Sequence, residues 1–209
     1  MIFPPILHSC HQCGRVQGAS TDRSGNPQHR VALVADQLRC SGPLVVVMGV
    51  VGSGKTTVGA ALATRLRLNY ADADAFHDRA SVAKMAAGHP LDDDDRSPWL
   101  QAIGQWLAEH NETGGVASCS ALRRRYRDVL RVAAPRVQFL HLDGDLAVVT
   151  QRVAGRLDHF MPTSLVCSQL ETLERLESDE MGSRLDLSAT VDDIVADFTR
   201  TLTKAGARP

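Results

Sequence analysis

The sequence predicts an α/β domain built on an open parallel sheet with helices on both faces, and three observations carry that reading. Leu44 to Met48 is a continuous Val-rich apolar run, as expected of a parallel strand covered on both sides. It empties into Gly49-Val50-Val51-Gly52-Ser53-Gly54-Lys55-Thr56, which satisfies G-x-x-x-x-G-K-[ST], a phosphate-binding loop between strand and helix. Downstream, short apolar runs alternate with segments of helical spacing in the order β-α-β-α-α-β-α-β-α-β-α, the pattern of crossover helices on a parallel sheet.

Composition narrows the class. The 209 residues suit one domain with a full core. A net charge of −1 and 4% aromatic residues argue against a nucleic-acid partner, which needs a basic field or stacking platforms. No apolar run approaches the roughly 20 residues of a membrane span, and the opening MIFPPIL lacks the basic start of a signal peptide. No membrane partner is therefore expected. The five cysteines, at 10, 13, 40, 119 and 167, are odd in number and scattered, which fits free thiols in a cytoplasmic protein. A homodimer stays open.

Taken in order, residues 1–42 are rich in Ser, Gly, Pro, His and Arg and read as a poorly ordered N-terminal extension; residues 43–209 form the P-loop domain. Cys10-His11-Gln12-Cys13 offers one metal-binding pair where a structural zinc site needs two, so zinc is not expected. Val58, Ala61, Leu62 and Leu66 recur at helical spacing and predict a helix over 55–67. Residues 68–71 read as a second strand running extended into Asp72-Ala73-Asp74. A small helix over 81–87 precedes the acidic run 92–95, and Ser97-Pro98 predicts the start of the next helix, with Ser as N-cap. Strands are expected at 116–120, 137–142 and 184–187, and helices at 122–133 and from about 146 to 154. Thr190-x-x-Asp193 resembles a capping box opening the last helix.

The motifs suggest phosphoryl chemistry. Glycines let the loop amides turn inward at phosphate oxygens, Lys55 places a cation on the β- and γ-phosphates of a nucleotide such as ATP, and the Thr56 hydroxyl can ligate Mg²⁺. Working residues in such a sheet lie beyond the carboxyl ends of the strands. Asp72 and Asp74 end the second strand, and extended alternation sends both to one side. Asp72 is the expected partner of Thr56 and the metal, and Asp74 the carboxylate for an acceptor hydroxyl. Asp143 comes closest to the usual acidic residue at a later strand end. Arg152 and Arg156, four apart, suit arginines that cover transferring phosphates. In the basic run 123–127, a sheet-facing arginine suits an anionic substrate. His77, two residues after Asp74-Ala75, is the histidine most expected to touch a ligand.

The blocks GVVGSGKTTVG, ADADAFH, KMAAGHPLDDDDRSPWL, CSALRRRYRDVLR and HFMPTSLVCSQLETLE occur together and in order, and with them residues 44–200 resemble the gluconate kinase family. That resemblance implies a nucleoside-monophosphate-kinase-like core with a mobile lid segment. It implies transfer of the γ-phosphate of ATP to the 6-hydroxyl of D-gluconate, with Mg²⁺ as cofactor. It also implies cationic partners for the substrate carboxylate, with Lys84, Arg96, Arg124 and Arg127 as the pool, beside His77 and Asp74. The chain departs from the family pattern at Val51 (Ser in the family), at Ala73 (Gly), and at Ser81 (Asn). The alternatives are another small-molecule kinase on this fold, for shikimate or a nucleotide, and a non-catalytic nucleotide-binding protein. A GTP switch is disfavoured because N-K-x-D is absent.

Overall fold

The computed structural model describes residues 42–206 except 88 and 155–162, and its first strand, β1, is Leu44–Met48. Helix α1 (Lys55–Leu66) crosses to β2 (Asn69–Asp72), which runs into a 3-10 turn (Ala73–Phe76), α2 (Arg79–Ala86) and the long α3 (Asp93–Glu109). Then follow β3 (Gly115–Ser118), α4 (Arg124–Ala133), β4 (Gln138–Asp143) and α5 (Leu146–Ala154). The chain ends in α6 (Thr163–Thr172), β5 (Gly182–Asp186) and α7 (Val191–Gly206). The expectations for residues 1–41, the Cys10–Cys13 pair and Arg156 lie outside the described residues.

All strand pairs are parallel, in the spatial order β2-β3-β1-β4-β5. Their carboxyl ends therefore share one edge. The chain changes sides of β1 between β3 and β4, which makes that edge the topological switch point. Alternation along β1 sorts the core into two layers. Leu44, Val46 and Met48 pack with Ile103 and Leu107 of α3 and Leu130 of α4, whereas Val45 and Val47 pack with Leu62 of α1 and Phe198 of α7. All five β1 side chains are fully buried, each contributing about 1.5–3 kcal/mol, so the run has no room for a polar residue.

A second helix, α6, follows α5 before the last strand, most element ends shift by one or two residues, and two boundaries differ from the sequence reading for a local reason. Helix α3 begins at Asp93, not at Ser97-Pro98. Asp92 is its N-cap: Oδ1 accepts the Asp95 N–H at 2.9 Å and Asp95 Oδ2 accepts the Asp92 N–H at 2.9 Å. This reciprocal box, with three aspartates in the first turn, satisfies more orphan amides than a Ser N-cap would. Pro98 then lies inside the helix, where it gives up the backbone bond to the Asp94 carbonyl.

The second strand ends at Asp72, because Asp72 caps the 3-10 turn by accepting the Asp74 N–H on Oδ1 at 3.1 Å. The extended alternation expected of Asp72 and Asp74 is thereby lost. Ala73 accepts its extra methyl without strain, since it is not among the residues with positive φ, and its carbonyl accepts Trp99 Nε1–H at 2.7 Å. Ser81 is buried in α2, its N–H held by the Asp78 cap at 2.7 Å. Gly42 is already tied to the domain, donating to the Glu112 carbonyl at 3.2 Å and accepting from Arg136 at 3.0 Å.

One core residue makes the fold acid-sensitive. His141 on β4 is fully buried, and neither ring nitrogen has a partner among the described residues. Burial lowers its pKa to about 4, against the opposing pull of Asp143. The folded state thus keeps the ring neutral while the unfolded chain takes a proton near the ordinary value of 6.5. Stability is lost as pH falls from 6.5 toward 4 and levels off below that, a change on the order of 3 kcal/mol. Tm should fall across this range, and His141→Leu should flatten that part of the profile. An unchanged slope in the variant would assign the acid sensitivity elsewhere.

Candidate active site

The phosphate loop begins the working edge. Gly49, Gly52 and Gly54 adopt φ values of 144°, 79° and 96°. At Gly49 a Cβ would stand 2.9 Å from the Leu142 carbonyl oxygen, and Gly54 is the left-handed N-cap of α1 with no side chain over the first-turn amides. That leaves the positive end of α1 open to an anion. The Ser53 hydroxyl is buried inside the loop without a partner among the described residues, a donor that a phosphate oxygen would satisfy. Lys55 Nζ donates to the Val50 carbonyl at 3.0 Å, holding its ammonium against the loop. Arg152 donates to the carbonyls of Ser53 at 3.4 Å and Leu187 at 2.6 Å.

Arg152, the loop around Gly54 and the apolar residues Leu187, Ala189 and Val191 wall an open cleft of about 340 Å³. The sequence reading did not connect 187–191 to the site. Their signal is positional: they directly follow the carboxyl end of a strand. Gln169 of α6 was also missed. Its Oε1 accepts the Val51 N–H at 2.7 Å, so one loop amide is held from outside the loop.

Beside the loop, Thr56 Oγ1 donates to Asp72 Oδ2 at 3.0 Å. Tyr70, which shares a 2.8 Å hydrogen bond with Ser118 Oγ, lies 3.5 Å from the same oxygen. Asp72 thus ties α1, β2 and the 3-10 turn together. The Asp74 carboxylate is exposed, with no ion pair or side-chain hydrogen bond among the described residues. Cys119, following β3, marks where these elements converge. Burial pushes its thiol up to about 12, while Lys55, Asp74 and Asp72 all act on it electrostatically. It stays protonated and is no nucleophile. His77 stacks on Trp99 with ring centroids 4.7 Å apart; burial holds its pKa below the ordinary value despite Asp74 and Asp78. Asp143 faces Arg175 and Arg184 at 3.6 Å each, away from the Thr56–Asp72 pair.

The cationic pool, which the sequence left unranked, sorts by partner. Arg127, the sheet-facing arginine of α4, is fully buried. Its Nε and Nη2 donate to Glu180 at 2.5 and 2.7 Å, and its other donors reach the carbonyls of Ala121, Leu122, Glu174 and Arg175. No donor remains for a substrate. Arg124 is held by Glu177 at 2.6 Å and by Asp179, and Lys84 by Asp92 at 3.1 Å and by Asp95, so both serve the protein's own carboxylates. Arg96 is the one member of the pool without a carboxylate partner among the described residues. It donates to the Tyr126 hydroxyl at 3.3 Å and lies over that ring.

Residues 51–205 match the family described as shikimate kinase. The gluconokinase of Gluconobacter oxydans (strain 621H) is 43% identical over 158 residues, covering 75% of this chain and 89% of that protein. The thermosensitive gluconokinase of Escherichia coli (strain K12) is 40% identical over 158 residues, covering 74% and 84%. The crystal structure of a gluconokinase from Sinorhizobium meliloti 1021 aligns at a TM-score of 0.73 and 42% identity, covering 78% of this chain and 93% of that one. The chain belongs to the gluconokinase family, within the wider shikimate-kinase group of P-loop kinases.

Proposed function

We propose that the protein transfers the γ-phosphate of ATP to the 6-hydroxyl of D-gluconate, giving 6-phosphogluconate. The observation that carries this is an open phosphate loop with an unpaired carboxylate, Asp74, on the 3-10 turn that follows the adjoining strand, in a chain of the gluconokinase family. The loop amides, the Ser53 hydroxyl and Lys55 hold the phosphates, and the apolar wall at Leu187–Val191 with Arg152 suits a flat purine. Asp74 orients the acceptor hydroxyl and takes its proton. Arg96 meets the substrate carboxylate, and His77, neutral on Trp99, offers a hydrogen bond to the polyol.

Thr56 and Asp72 would hold Mg²⁺. They are hard oxygen donors already in contact, and no group of three or more metal-ligating side chains exists among the described residues. That fits a cation which keeps waters and shares phosphate oxygens rather than occupying a protein cage. When bound, it offsets charge on the β- and γ-phosphates. Among the described residues no helix is long and apolar enough to cross a membrane. We place the kinase domain at residues 43–209; just before it, Gly42 donates to the Glu112 carbonyl and accepts from Arg136.

A coupled assay of ADP formation with D-gluconate, other sugar acids and shikimate tests the reading. D-Gluconate should give the highest kcat/KM, and Lys55→Ala should lower it about 10²-fold or more in a folded protein. Preference for shikimate, or normal turnover by Lys55→Ala, would overturn the assignment.

A further inference from the structure

We infer that Gln169 positions the phosphoryl group for transfer, its carboxamide fixed to the P-loop by the oxygen and donating to the γ-phosphate through the nitrogen. This rests on the kinase reading above and adds a residue to it. The block HFMPTSLVCSQLETLE has so far been given no part in the chemistry, yet α6 within it carries the side chain that bonds the phosphate loop. A primary amide has one acceptor oxygen and two N–H donors. The oxygen of Gln169 is committed to the Val51 N–H at 2.7 Å, whereas Nε2 is paired with no acceptor among the described residues. The donors are the part left for a ligand.

Position says which ligand. Val51 adjoins Val50, whose carbonyl holds Lys55 Nζ at 3.0 Å, and the lysine of such a loop reaches the β- and γ-phosphates. The carboxamide is therefore anchored one residue from the resting place of the ammonium that serves the transferring group. The helix that presents it is itself fixed. Leu170 and Leu173 pack against the core, and directly after the helix Glu174 donates its N–H to the Leu122 carbonyl at 2.8 Å. Glu174 Oε2 accepts the Arg124 N–H at 2.5 Å, and its carbonyl accepts from buried Arg127 at 3.0 Å. Helix α6 thus spans from the phosphate loop to the start of α4. A donor held from both ends needs no reorganisation when negative charge shifts on the phosphoryl oxygens. Being neutral, it also adds no cation that would hold the product.

A plain tether would need only the oxygen, and that difference makes the test. Gln169→Glu keeps the shape and the acceptor for Val51 but replaces the donors with negative charge. Titration calorimetry of ATP and ADP with Mg²⁺, without any sugar acid, should show Kd for ATP weakened at least tenfold more than Kd for ADP, because only ATP carries the γ-phosphate. Gln169→Leu, which lacks both the acceptor and the donors, should lower kcat roughly 10–10³-fold and weaken Kd for ATP more than Kd for ADP. A Gln169→Glu protein whose two nucleotide affinities are unchanged, or weakened equally, overturns the proposal and leaves Gln169 a tether. The nucleotide comparison involves no acceptor, so it succeeds or fails independently of whether gluconate is the substrate.

Discussion

Asp74→Asn is expected to lower kcat for gluconate phosphorylation by roughly 10²–10⁴-fold, the range for losing a general base, while the dissociation constant for ATP stays nearly unchanged. Asn keeps the volume and one acceptor oxygen but not the charge that draws a proton. The structure gives this expectation a firmer basis than the strand alternation from which it first arises. The Asp74 backbone is fixed by Asp72 Oδ1 at 3.1 Å, on a turn whose first carbonyl, that of Ala73, is pinned by Trp99 at 2.7 Å, yet the carboxylate itself is exposed. A placed group with an uncommitted charge suits a base. Asp72 is the opposite case, with one oxygen on Thr56 and the other on the Asp74 amide. Asp72→Asn should therefore raise the Mg²⁺ concentration needed for half-maximal rate and lower kcat less than the Asp74 change does. Steady-state kinetics across a Mg²⁺ series separates the two. Near-normal kcat in Asp74→Asn, or its rescue by added Mg²⁺, would exchange the roles of the two carboxylates.

How far the sequence reaches depends on the range of the interaction that decides each residue. The P-loop was legible because each constrained position answers a local backbone demand, as the left-handed φ of 96° at Gly54 shows. The strand at Leu44–Met48 was legible because burial on both faces leaves an unbroken apolar run. The start of α3 was misread although its signal is equally local. Two aspartates three apart form the box, whereas the pattern sought was a Ser beside a Pro. The cationic pool could not be ranked at all. Arg127 and Glu180 are separated by 53 positions, and nothing near Arg127 in the chain announces that its charge is consumed by the fold. Gln169 was hidden in the same way, as one polar residue in a Leu-spaced run whose partner, Val51, lies 118 positions earlier.

Glu180→Ala is expected to destabilise the protein by about 3–5 kcal/mol, the usual consequence of removing one partner of a buried ion pair. Both side chains are wholly excluded from solvent. Burial works to raise the Glu180 pKa, but the Arg127 guanidinium and the Glu177 N–H at 3.0 Å outweigh it and hold the carboxyl below its ordinary value. Its contribution is therefore present above the unfolded pKa, near 4.5, and is lost as pH falls through the lower folded value. In the variant, the guanidinium would keep its four carbonyl acceptors but no counter-charge. For a domain of this size the loss should lower Tm by about 10 °C or more. The pair also reaches the site, since Arg127 holds the Glu174 carbonyl at 3.0 Å, just beyond α6. Replacing both partners, Arg127→Met with Glu180→Leu, should recover most of the stability, because no charge is then stranded. Thermal denaturation of the single and double variants at pH 7 decides the matter. A single variant that melts within about 2 °C of the unsubstituted protein would show that the pair contributes little.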